Sequence, residues 1–133
     1  MRTLRAMTVL DVDDRAASVR HFEAMGFRVG GDWAEFRAAI VQRGQVTFLL
    51  QEADGAMPRN AGWAAYVYVS DAAALRREFE EKGLAGMSAP QDRPWATGEF
   101  TVTGPDGHVI AFGEARDLSH GPGLGADAET EPA

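Results

Sequence analysis

The sequence predicts an α+β fold of two tandem βαβββ modules forming a curved mixed sheet around a cleft. Three observations predict it: an internal repeat, the same order of strand and helix signals in each copy, and tight-turn dipeptides between the later strands. The repeat is sought first because it sets the architecture. Sliding the 133-residue chain by 57 positions lays Val12–Gly26 on Val69–Gly83 with eight identities in fifteen. These are Val12/Val69, Asp14/Asp71, Ala16/Ala73, Ala17/Ala74, Arg20/Arg77, Phe22/Phe79, Glu23/Glu80 and Gly26/Gly83.

Each copy begins with a short apolar strand, Arg5–Val12 and then Trp63–Val69. An aspartate follows at the helix N-cap, Asp13 or Asp14 in the first copy and Asp71 in the second, where a carboxylate accepts free backbone N–H groups. Helices of about twelve residues come next. Ala17, Val19, Phe22 and Met25, then Ala74, Leu75 and Phe79, recur near helical spacing. Gly26 and Gly83 end them as C-terminal caps. Strand text resumes at Phe27–Val29, Trp33–Gln42 and Val46–Gln51, and in the second copy at Phe100–Thr103 and His108–Phe112. Arg43-Gly44 and Asp106-Gly107 mark the tight hairpins. Phe22, Phe79 and Phe112 are assigned to the helix-packed core.

One domain over residues 1–114 results, with modules at about 4–52 and 62–114. Ala53–Asn60, containing Gly55 and Pro58, is the linker. Residues 115–133 are rich in Gly, Pro and acids and are expected to be disordered. Hydrophobic residues make up 45% and charged residues 25%, as in ordinary globular chains. There is no cysteine, which excludes disulfides, thiolate metal sites and thiol nucleophiles. The net charge of −7 speaks against a nucleic-acid partner. No apolar run is long enough to span a membrane, and a cytoplasmic location is expected.

The segments Pro94-Trp95, Glu99-Phe100, Pro105-Asp106-Gly107 and Phe112-Gly113-Glu114, together with the paired units Val12–Phe27 and Val69–Leu84, carry a resemblance. Over roughly residues 4–115 the chain resembles the vicinal oxygen chelate superfamily (glyoxalases, extradiol dioxygenases, antibiotic-resistance proteins), and within it the bleomycin-resistance proteins. The resemblance places metal ligands on the first and last strand of each module. Those positions here are Met7, Phe48, Ala64 and Ala111, none of which suits a hard divalent cation. No metal and no cofactor is therefore expected, and no catalytic residue is assigned. His21, His108 and His120 are read as surface residues.

With apolar groups in those positions, the cleft reads as an aromatic pocket. Strand alternation from Ala64 sends Tyr66 and Tyr68 inward, and Phe48 joins them from the first module. Trp33 and Trp95 are expected as walls or rims, with Trp63 and Phe100 beside them. Asp32, Glu35 and Glu99 are expected either to attract a cationic ligand or simply to solvate the surface. The resemblance implies a homodimer that sequesters a planar, cationic antibiotic of bleomycin type without altering it. The alternative is a glyoxalase- or dioxygenase-like enzyme. Three departures from the bleomycin-binder pattern stand out: Thr8 in place of a proline, Ala96-Thr97-Gly98 before Glu99, and Gly104 before Pro105.

Overall fold

Both repeats fold as one strand, one helix and three further strands. A computed structural model describes residues 1–116. In chain order the elements are β1 (Thr8–Val12), α1 (Arg15–Ala24), β2 (Arg28–Trp33), β3 (Ala38–Arg43), β4 (Val46–Glu52), β5 (Ala65–Val69), α2 (Ala72–Glu81), β6 (Gln91–Arg93), β7 (Ala96–Thr103) and β8 (Val109–Ala115). They make two four-stranded mixed sheets of matching topology, β1-β4-β3-β2 and β5-β8-β7-β6. In each sheet the first strand pairs in parallel with the last, and the other pairs are antiparallel.

The helices start where the sequence predicts. Asp14 accepts a hydrogen bond from the Ala17 N–H at 3.0 Å, and Asp71 accepts one from Ala74 at 2.9 Å. Each such cap is worth about 1 kcal/mol. A second carboxylate completes each start, because the last strand of the module ends beside its helix. Glu52 accepts the Arg15 N–H at 3.0 Å, and Glu114 accepts the Ala72 N–H at 3.1 Å. Beyond the helices, Gly26 and Gly83 take φ of +83° and +71°, the left-handed turn that an L side chain resists.

One core joins the two modules. Leu10, Phe22, Phe48 and Leu50 from the first and Val67, Phe79, Phe100 and Phe112 from the second belong to a single buried cluster. Phe22 packs on Phe27 and Phe48, while Phe79 packs on Phe100 and Phe112, all with centroids 4.9–6.0 Å apart. Each buried phenyl contributes about 1.5–3 kcal/mol.

Three sequence expectations are corrected here. Trp33–Gln42 is not one strand: a 3-10 turn at Ala34–Phe36 and a left-handed Arg37 (φ 54°) reverse the chain between β2 and β3. β6 lacks any apolar alternation and reads as a loop, yet it pairs with β7, which itself begins at Ala96. His108 is buried, its Nε2 lying 2.6 Å from the Asp11 carbonyl. His21 is partly covered as well, and burial pulls its pKa below the ordinary value. The expected disordered tail, with His120, falls almost wholly outside the described residues, although Ala115 itself closes β8.

Candidate functional site

Alternation along the strands decides which side chains leave the core. On β5, Val67 points into the core, so Tyr66 and Tyr68 take the opposite, open face of the sheet. Their neighbours on β8 are Ala111 and Gly113, paired with them in register. The small partners make room for the rings. A Cβ on Gly113 would stand 2.1 Å from the Tyr66 Oη and 2.8 Å from the Ala96 Cβ, so glycine is the only residue that fits without displacement.

Four aromatic rings meet on this face. Trp63 lies 5.0 Å from Tyr66 and 6.3 Å from Trp95, and Tyr66 lies 4.9 Å from Tyr68, all tilted or edge-on. Trp63 and Trp95 remain 42% and 39% exposed, so this is a platform open to solvent rather than a sealed core. Its foundation is Glu99, only 4% exposed, carried by an irregularity in the β7–β8 register between Thr97 and Phe100. Glu99 Oε1 accepts the Trp95 Nε1–H at 2.8 Å, and Oε2 accepts the Arg93 Nε–H at 3.1 Å. Gly98, in the left-handed region, donates its N–H to Asp92 at 2.9 Å.

Electrostatics follow from that burial. Desolvation pushes the Glu99 carboxyl up, but Trp95, Tyr66 and Arg93 outweigh it and hold its pKa below the usual carboxylate value. Tyr66 moves the other way. Burial, then the nearby Glu99 charge, raises its phenol well above the ordinary range. Its oxygen is buried and reaches no partner at full hydrogen-bonding geometry, although it lies close enough to Glu99 to feel that charge.

The sequence-predicted residues therefore divide. Trp63, Tyr66, Tyr68, Trp95 and Glu99 come together. Trp33 stands on the other sheet, its ring lying over Gly31, and makes no ring contact with the cluster. Phe48 and Phe100 point into the core rather than the open face, 1% exposed each. Asp32 pairs in register with core-facing Ala39 and reaches Arg15 at the start of α1, 2.9 Å away. Neither acid is free for a cationic ligand: Asp32 is committed to Arg15, and Glu99 to Arg93. Two residues of the platform escaped the sequence reading. Arg93 had no signal beyond its place beside Pro94-Trp95, and Gly113 looked like part of a motif rather than a space for Tyr66.

The error at Phe48 has a definite cause. Leu10 pairs with Leu50, and Val67 with Phe112, so Leu49 is the true counterpart of Ala111. Matching Glu52 to Glu114, which cap the two helices alike, gives the same result and was legible in the sequence. The four positions become Met7, Leu49, Ala64 and Ala111. Their side chains offer no oxygen or nitrogen, so they do not fit a hard divalent cation. Among the described residues no group of three or more His, Asp or Glu is placed to share a metal ion.

A cavity lies elsewhere, a groove of about 690 Å³ between the modules, lined by Phe27, Val46, Val67, Leu75 and Phe79. Its rim is the Arg43–Glu78 ion pair, N to O 2.6 and 2.9 Å, which is already satisfied. The platform, with exposed indoles and anchored polar groups, is the better candidate for recognition.

Residues 5–112 match the glyoxalase/bleomycin resistance protein/dioxygenase superfamily. The chain belongs to that superfamily. No curated protein matches it significantly. Several solved superfamily structures share the fold at low identity. The bleomycin resistance determinant encoded on transposon Tn5 superposes with a TM-score of 0.73 at 21% identity, covering 86% of this chain and 99% of that one. The bleomycin-binding protein of Streptomyces verticillus, complexed with copper(II)-bleomycin, gives 0.68 at 22%, covering 87% and 99%. A glyoxalase-related enzyme from Clostridium phytofermentans gives 0.70 at 19%, covering 87% and 98%. The superfamily thus includes both binders and enzymes. Among the described residues no helix is long and apolar enough to cross a membrane.

Proposed function

We propose that the protein binds and sequesters a planar small molecule, without chemical change, in the manner of the bleomycin-binding members of its superfamily. The observation that carries this reading is the platform of Trp63, Tyr66, Tyr68 and Trp95, held open and oriented by buried Glu99. Stacking on such rings adds about 0.5–1.5 kcal/mol per pair beyond area burial. Four apolar side chains at the superfamily's metal positions support binding over metal-assisted catalysis.

A homodimer is part of the proposal. The open face of the first sheet shows Val9 at 48% and Trp33 at 40% exposure, an apolar surface that a second subunit would cover to complete a groove. The test is calorimetric titration of chelator-treated protein with copper-loaded bleomycin, with light scattering for mass. Binding near one ligand per subunit of a dimer, and intact ligand on recovery, is the expected result. Recovery of a modified ligand, or a stoichiometric metal in the purified protein, would overturn it.

A further inference from the structure

The platform's hydrogen-bonding groups are not balanced in the direction they face. Glu99, the negative partner, is buried, and both its oxygens are taken by Trp95 and Arg93. Arg93, the positive partner, sits on edge strand β6 with its side chain 44% exposed. It spends only Nε–H on Glu99. Among the described residues neither of its terminal Nη groups has a hydrogen-bond or ion-pair partner. Asp92, the adjacent acid, is turned to the Gly98 N–H. The Trp95 indole N–H is also spent, on Glu99.

What the platform offers to solvent beside its rings is therefore an oriented pair of donors, and the carboxylate that touches the indole, Glu99, is already spent. A guanidinium fixed at Nε presents its Nη edge as a planar fork that matches a carboxylate or phosphate with two parallel bonds. An exposed indole can still attract a cation through its face, but that contact is the weaker one at a solvated site. We propose that Arg93 forms an anion subsite at the edge of the aromatic platform, so that the preferred ligand is a planar ring carrying a carboxylate or similar anionic group. This rests on the reading of the platform as a binding face and reverses the charge expected from the sequence.

The experiment is calorimetric titration of the full chain with three naphthalene probes of equal ring size: 2-naphthoate, 2-naphthamide and 2-(aminomethyl)naphthalene. The expected order places the carboxylate roughly tenfold or more tighter than the other two, as a charge-assisted bidentate pair should. Arg93→Gln should erase that preference, read as the ratio of carboxylate to amide affinity within the variant. Arg93→Lys, which keeps the charge but loses the fork, should fall between, and thermal unfolding of each variant controls for folding. Equal binding of carboxylate and amide, or tighter binding of the amine, overturns the anion subsite and leaves the platform standing. Binding of none of the three overturns both.

Discussion

The two modules share a plan but load their open faces in opposite ways. In the second, the large residues Tyr66 and Tyr68 stand on edge strand β5, and small Ala111 and Gly113 lie beside them on β8. In the first, the matching edge positions on β1 are Val9 and Asp11, and the bulk lies inward on β4, at Leu49 and Gln51. The β1–β4 and β5–β8 registers correspond, so on these strands the difference lies in the side chains they carry. Rings on an edge strand can lean over small neighbours and gather into an open aromatic face, whereas bulk on an inner strand cannot.

The junctions differ too. The loop between Thr103 and Val109 has five residues and closes over α1, with Asp106 accepting the Asp13 N–H at 3.0 Å and His108 meeting the Asp11 carbonyl. Its counterpart between Arg43 and Val46 has only two, and the equivalent space beside α2 stays open as the 690 Å³ groove. A duplicated frame tolerates this because turn length and open-face side chains are the parts that the common core does not constrain.

Several measurements would break or sharpen this comparison. The largest effects belong to the equivalent core rings. Phe22→Ala and Phe79→Ala should each cost about 3–5 kcal/mol in urea unfolding. Phe22 should sit at the upper end, since Phe79 borders the open groove, where neighbours can relax. A reversed order would mean that the groove does not soften its wall.

Gly113→Ala comes next. The added methyl meets the Tyr66 Oη, so a loss of about 1–3 kcal/mol is expected together with weakened ligand binding. Its first-module counterpart, Gln51→Ala, gives up the bonds from its amide to the Phe36 and Arg37 carbonyls at 3.2 and 3.4 Å and should cost about 0.5–1 kcal/mol. Similar losses at the two sites would remove the size argument. Asp106→Ala should cost about 1 kcal/mol by freeing the long loop from α1, read as faster amide exchange at Asp13.

The smallest effect is one of pH. The Glu99 pKa is lowered in the folded protein, so its stabilisation is present above its unfolded value of about 4.3 and is lost as pH falls through the folded one. The stability gap between the parent and Glu99→Gln should therefore be full at neutral pH and close in acid. A gap unchanged down to acid pH would mean that the Glu99 charge does not support the platform.

Most of the frame was legible because it rests on local signals. Asp14, Asp71, Gly26 and Gly83 act through their own backbone, and the repeat fixed where each signal had to recur. The exceptions were of one kind. His108 and Arg93 carry polar groups whose partners lie far in sequence or on a strand without alternation, and no spacing announces such a bond. Phe48 failed by a single register step, which turns a side chain from one face of a sheet to the other.

By itself, then, the sequence determined two βαβββ modules, their helix caps, the core places of Phe22, Phe79 and Phe112 and the tyrosine pair on one face, because propensity, capping and periodicity act over a few residues. Tertiary structure decided the rest: that Glu99 is buried rather than offered to a ligand, that Asp32 serves Arg15, that Trp33 and Trp95 part company, and that among the described residues the Arg93 fork meets no partner. Those outcomes depend on which long-range partner reaches a charge first once burial makes an unpaired one costly, and packing alone settles that.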